Sequence, residues 1–170
     1  MTLSLVLGGA RSGKSAHALE QAQAAAGDRP LTLIATAQAF DDEMADRIAR
    51  HRAERGPNWR TIEAPLGLAD VLDALSSQDV AVVDCLTLWL SNVMLGELDV
   101  AAETDALLAA AARTQAEVFY VSNEVGLSIV PDNVLARRFR DEAGRLNRVM
   151  AAQADRVTMV FAGLPLKLKP

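Results

Sequence analysis

The chain has a single cysteine, Cys85, so neither a disulfide framework nor a cysteine zinc cluster is open to it. One unpaired thiol fits a reducing compartment. Histidines are scarce (His17 and His51), lysines are three (Lys14, Lys167, Lys169), and aromatic residues make up 4% of the chain. That leaves no basic track interleaved with aromatics, as single-stranded nucleic acid would require. No stretch approaches the roughly 18 consecutive apolar residues of a bilayer span. The apolar start, Met1 to Leu7, precedes its charges, Arg11 and Lys14, the reverse of a secretory leader. The expectation is a cytoplasmic protein. With 17 basic and 22 acidic residues the net charge is −5, which argues against general affinity for phosphate backbones or anionic lipid.

What is present is apolar and regularly patterned. At 170 residues, 51% of them hydrophobic, the chain reads as one domain, 1–170, and not as disorder. Short apolar runs at Leu3–Leu7, Leu31–Ala35, Val80–Val83, Val118–Ser122 and Val157–Ala162 predict strands buried on both faces. Between them, helical patterns lie at about 14–26, 41–55, 67–76, 86–96, 100–113 and 132–153. Strand–helix alternation predicts an α/β fold with a mostly parallel, doubly wound sheet flanked by helices. In the last helix Asp132 is the expected cap, with Leu135, Phe139, Ala143 and Leu146 on one side. The segment Leu86–Leu95 is apolar enough for either a buried core helix or a subunit interface. Leu164–Pro170 reads as a short last strand or an extended end.

Gly8-Gly9-Ala10-Arg11-Ser12-Gly13-Lys14-Ser15 matches G-x-x-x-x-G-K-[ST] at every fixed position, between an apolar strand and an alanine-rich helix. Its glycines let backbone N–H groups approach phosphate oxygens, and the helix start adds the positive end of its dipole. Lys14 is the residue to reach the β- and γ-phosphates, and the Ser15 hydroxyl the one to ligate Mg²⁺. Val80-Ala81-Val82-Val83-Asp84 places a carboxylate at the carboxyl edge of a buried strand, where open α/β sheets bind ligands. Asp84 serves Mg²⁺ there, directly or through water, or simply caps the next helix.

His17 reads as a helix-surface residue. His51 shares a helix face with Arg47 and Arg55, four residues away on either side. Flanking arginines favour neutral, nucleophilic imidazole and hold phosphate oxygens. No second histidine or cysteine lies within helical reach, which argues against zinc. On these residues alone, a surface histidine on a charged helix remains open. Asn123 and Glu124 follow the Val118–Ser122 run, at the edge where substrate is expected, or they cap the turn.

Together the phosphate loop, Ile34-Ala35-Thr36-Ala37-Gln38, the block Asp41 to Arg52 around His51, Trp59–Glu63, Asp84-Cys85-Leu86-Thr87, Ser122–Gly126 and Ile129-Val130-Pro131 resemble one family. It is the bifunctional adenosylcobinamide kinase/adenosylcobinamide-phosphate guanylyltransferase family of cobalamin synthesis, and the resemblance spans about residues 3 to 168. It implies a RecA-like P-loop NTPase fold and a homotrimer. It implies phosphorylation of adenosylcobinamide with ATP or GTP. GMP would then pass from GTP to adenosylcobinamide phosphate through a GMP-histidine intermediate, releasing pyrophosphate and giving adenosylcobinamide-GDP. The matching histidine is His51. Nucleotide contacts carry over to Gly8, Gly9, Ala10, Arg11, Ser12, Gly13, Lys14 and Ser15. They carry over also to Thr36, Ala37 and Gln38, to Arg52, Ala53, Glu54 and Arg55, and to Glu63 and Asp84. Family members often carry Glu where Asp84 stands, and the shorter reach would turn a direct metal contact into a water-mediated one. Glu124 and Asp84 stand as candidates for the kinase base. The alternative is a P-loop kinase or ATPase acting on another small substrate, which would use Lys14, Ser15 and Asp84 but not His51. A non-catalytic nucleotide- or nucleic-acid-binding module is disfavoured by the charge.

Overall fold

The computed structural model describes residues 2–38 and 58–170. In chain order the elements are β1 (Leu3–Gly8), α1 (Lys14–Ala26), β2 (Leu31–Ala35), β3 (Trp59–Glu63), α2 (Leu68–Asp73), β4 (Val80–Asp84), α3 (Leu86–Leu95), α4 (Val100–Arg113), β5 (Glu117–Asn123), α5 (Val134–Gln153), β6 (Arg156–Phe161) and β7 (Leu164–Lys169). The strands form one sheet in the order β3-β2-β4-β5-β1-β6-β7. Every pairing is parallel except β6 with β7, which is antiparallel. The expected helix at about 41–55 lies outside the described residues.

The central strands are continuous apolar runs because both faces are covered. All six residues of β1 are buried. Leu3, Leu5 and Leu7 pack with α2, α3, α4 and α5, whereas Val6 faces α1 on the other side. This is the period-two alternation of a strand with apolar partners on each face. Helix α1 turns Ala18, Ala22 and Ala26 to the sheet, and these side chains are small enough for close approach. On the opposite face Trp89, Leu90, Leu72 and Leu107 are fully buried. Truncating one of these leucines to alanine would cost about 2–5 kcal/mol.

Three expectations need correction. Trp59–Glu63 is a strand that no apolar run marks. It pairs only with β2, and as an edge strand it buries Trp59 alone, half-buries Thr61 and Ile62 and leaves Arg60 and Glu63 exposed. Helix α5 is capped by Asn133 and not by Asp132, because the Asn133 side chain accepts from the Ala136 N–H at 2.7 Å. Its buried stripe is Ala143, Leu146, Asn147 and Met150. Leu135, 55% exposed, extends beyond the layer that would cover it.

Two segments left open by the sequence are decided. Leu86–Leu95 is a core helix, with Leu86, Trp89, Leu90 and Val93 buried. The tail is the last strand, joined to β6 through Ala162 and Gly163, both at positive φ (48° and 80°). Two such residues make the primed turn that suits a tight hairpin. No helix among the described residues is long and apolar enough to cross a membrane.

Candidate active site

All parallel strands point the same way, so the ends of β1, β2, β3, β4 and β5 meet at one edge. The register aligns Gly8 with Asn123, and Ala35 with both Asp84 and Glu63. Strand β5 lies between β1, which leads into the phosphate loop, and β4, which ends in Asp84.

The loop is wrapped tightly against the β6–β7 turn. Ser12 N–H donates to Gly9 O at 3.3 Å, and Gly163 N–H donates to Ser12 O at 2.9 Å. Gly8 tolerates no side chain, because a Cβ there would lie 2.4 Å from Ser12 Oγ and 2.8 Å from Val160 O. Gly13, at φ 92°, starts α1 in a conformation that only glycine adopts without strain. Arg11 also takes a positive φ, 56°. Lys14 is buried, and its ammonium donates to Gly9 O at 3.2 Å, so the charge is held inside the loop that would wrap a phosphate.

Thr36, Ala37 and Gln38 follow β2. The Thr36 side chain is fully buried and engaged: its hydroxyl donates to Cys85 O and accepts from Cys85 N–H, both at 2.7 Å. It therefore ties the tip of β2 to the turn after Asp84, where the Asp84–Cys85 peptide is cis. Burial, and then the Asp84 carboxylate, push the Cys85 thiol up to about 11, against smaller pulls from a backbone hydrogen bond at Leu88 and from Lys14. Cys85 stays protonated at neutral pH and is no nucleophile. Glu63 is exposed at the end of β3. His51, Arg52, Ala53, Glu54 and Arg55 lie outside the described residues.

Four further polar residues shape this edge. From inside the apolar helix α3, Asn92 donates to Thr36 O at 2.8 Å and Pro65 O at 3.0 Å, holding the tips of β2 and β3 together. Thr87, Ser122 and Asn147 form a network beneath the end of β5. The signal for Asn147 is a polar residue on the buried stripe of an amphipathic helix. For Asn92 and Thr87 it is a polar residue within an apolar run. One Glu124 carboxylate oxygen accepts from its own loop, at Gly126 N–H, 2.7 Å.

Ser15 and Asp84 supply a hydroxyl and a carboxylate, hard oxygen donors of the kind Mg²⁺ prefers. Among the described residues no group of three or more His, Cys, Asp or Glu could hold a metal alone. That donor set fits an ion that completes its shell with water and phosphate oxygens.

Residues 4–168 match the family model described as cobinamide kinase / cobinamide phosphate guanyltransferase. The bifunctional adenosylcobalamin biosynthesis protein CobP of Pseudomonas aeruginosa is 47% identical, over 97% of this chain and 96% of its own length. The bifunctional adenosylcobalamin biosynthesis proteins CobU of Salmonella typhimurium and Escherichia coli are 43% and 42% identical, each over 97% of this chain and 98% of their own. Among solved structures, the flagellar accessory protein FlaH from Methanocaldococcus jannaschii superposes with a TM-score of 0.53 at 15% identity, over 99% of this chain and 78% of that one. A second solved structure, an ATPase domain, gives 0.52 at 13%, over 93% of this chain and 68% of that one. These two likenesses bear on fold alone, and the fold is that of RecA-like P-loop NTPases.

Proposed function

The chain belongs to the cobinamide kinase/cobinamide phosphate guanyltransferase family, and we propose that it acts on adenosylcobinamide and adenosylcobinamide phosphate through His51. In the first reaction the aminopropanol hydroxyl of adenosylcobinamide attacks the γ-phosphorus of ATP or GTP. In the second His51 attacks the α-phosphorus of GTP, pyrophosphate leaves, and the GMP passes to the substrate's phosphate, giving adenosylcobinamide-GDP. The observation that carries this reading is the pairing of a complete phosphate loop, Gly8–Ser15, with Asp84 two strands away on the same sheet edge.

The backbone N–H groups from Gly9 to Lys14 cradle the phosphates, and Lys14 exchanges Gly9 O for phosphate oxygens. Ser15 and Asp84 would hold Mg²⁺, which when bound would neutralise charge on the phosphates. Ala37, Gln38 and Glu63, at the neighbouring strand ends, face the rest of the nucleotide. Thr36 acts by shaping the edge and not by direct contact, since its hydroxyl is committed to Cys85, its N–H to Asp84 O and its carbonyl to Asn92. Arg52 to Arg55 supply contacts beside the nucleophile. Neutral imidazole between arginines suits nucleophilic attack on a phosphorus whose oxygens are held by cations.

We further propose a homotrimer. Phe161, Leu164, Leu166 and Leu168 on the β6–β7 hairpin, and Leu127, Ile129 and Val130 before α5, are at least half exposed and call for cover. Sedimentation equilibrium tests the trimer. A single buried thiol, Cys85, supports a cytoplasmic setting.

The deciding experiment is incubation with α-labelled GTP followed by mapping of the labelled residue. A phosphoramidate on His51 survives alkali and breaks in acid, because protonation of its nitrogen makes imidazole a good leaving group. Label from the γ-position is not retained. An alkali-labile adduct would place the GMP on a carboxylate and end the histidine mechanism.

A further inference from the structure

Asn123 ends β5, the strand between the phosphate-loop strand and the Asp84 strand. Its register partner on β1 is Gly8, and the next amide, Glu124 N–H, donates to Gly8 O at 3.1 Å. Paired strands lie about 4.8 Å apart, so this tip is one strand spacing from the phosphate loop and one from β4.

The main chain of Asn123 is held on both sides by side chains. Its N–H donates to Thr87 Oγ1 at 2.7 Å, and its carbonyl accepts from Asn147 Nδ2 at 3.0 Å. Ser122 Oγ donates to Asn147 Oδ1 at 2.7 Å, which uses its one proton. The 3.2 Å contact between Thr87 Oγ1 and Ser122 Oγ therefore has Thr87 as donor. The ring closes with every proton assigned, and it joins α3, β5 and α5 around one residue. The Asn123 side chain takes no part in it: Oδ1 is shielded from solvent and has no partner. Among the described residues six buried side-chain polar atoms lack a partner, and of these Asn123 Oδ1 and Ser12 Oγ stand at the strand edge with the phosphate loop. An amide oxygen unmatched there, on a backbone fixed from both sides, points to a bound group as its partner.

We propose that the Asn123 amide contacts the reacting groups of the kinase step, its N–H donating to a γ-phosphoryl oxygen and its Oδ1 accepting from the attacking hydroxyl. This rests on the reading of Gly8–Ser15 as the nucleotide site. The hydroxyl oxygen bonds to the γ-phosphorus as the bond to the β–γ bridging oxygen breaks. Nucleoside diphosphate departs, and the hydroxyl proton passes to water. Asn123 takes no proton; it aligns the attacking oxygen and shares the charge on the phosphoryl oxygens. Thr87 and Asn147 are positioning residues that act through it.

The test compares Asn123→Ala and the isosteric Asn123→Asp with the wild type. Kinase turnover is measured with ATP and adenosylcobinamide, and ADP affinity by calorimetry. Loss of one such contact lowers kcat on the order of 10²-fold. ADP affinity should stay within about twofold, because ADP lacks the group Asn123 touches. Thr87→Val should show the same split in weaker form, and Thr87→Ser, which keeps the hydroxyl, should restore kcat. Folded Asn123 variants with wild-type kcat overturn the inference, as does a loss of ADP affinity equal to the loss of turnover. A wild-type protein that binds neither ADP nor ATP overturns the phosphate-loop reading and this inference with it.

Discussion

Replacing Thr36 by Val keeps the shape of a fully buried side chain and removes only its hydroxyl. Two hydrogen bonds go with it, both to Cys85 at 2.7 Å. Their losses are unequal. Cys85 O keeps a second donor, Trp89 N–H at 3.1 Å, so it is not orphaned. Cys85 N–H has its bond to Thr36 Oγ1 in a buried setting and would be left with nothing. An orphaned buried amide costs about 1–3 kcal/mol, and the other bond about 0.5–1.5. The expected destabilisation is about 2–4 kcal/mol, a large share of a stability on the order of 5–15 kcal/mol. Urea unfolding should show a lower midpoint with an unchanged slope. Thr36→Ser retains the hydroxyl and should lose far less. The two roles of Thr36 predict different outcomes. A clamp between β2 and the Asp84 turn costs stability, whereas a hydroxyl contact to nucleotide raises KM in a protein of normal stability. A Thr36→Val protein within about 0.5 kcal/mol of wild type would refute the clamp.

Gly8→Ala drives a methyl to 2.4 Å from Ser12 Oγ and 2.8 Å from a β6 carbonyl. The loop must shift, costing about 1–3 kcal/mol and most of the nucleotide affinity; calorimetric ATP binding at wild-type strength would contradict this. The Cys85 thiol is raised in the folded state, so its contribution is complete below about pH 9 and is lost as pH rises towards about 11. Cys85→Ala should therefore flatten the alkaline fall in stability by up to about 1.4 kcal/mol per pH unit between those values. Identical slopes for the two proteins would reject the argument. Buried Tyr120, also raised, adds to the fall at still higher pH in both. His51→Asn should lower guanylyl transfer by several orders of magnitude, as loss of a nucleophile does, while adenosylcobinamide phosphate accumulates. Chromatography of the corrinoid products decides, and equal loss of both products would make His51 a shared binding residue.

Some features of this molecule are local, and the sequence by itself determined them. The phosphate loop is eight consecutive residues whose glycines, lysine and serine have their roles by position, and the 3.6- and two-residue periods report which segments face a core. That is why Lys14–Ala26, Leu31–Ala35 and Val100–Arg113 are legible to the residue. Membership of the family was legible too, in motifs spread over nearly the whole chain. The tertiary structure alone decided how distant segments meet. Strand order places β5 between β1 and β4, so Asn123 stands between the loop and Asp84 although more than a hundred residues separate it from Gly8. Trp59–Glu63 shows no apolar run because only one flank of it is paired, and edge position is a property of the assembled sheet. Thr36 looks like a polar residue in a binding turn until Cys85, 49 residues on, is brought within 2.7 Å. Asn92 and Asn147 lie on buried faces and carry partners found only across the fold. A side chain's local pattern reveals whether it will be buried; the partner that makes a buried polar group tolerable is chosen by packing, over separations that no local pattern records.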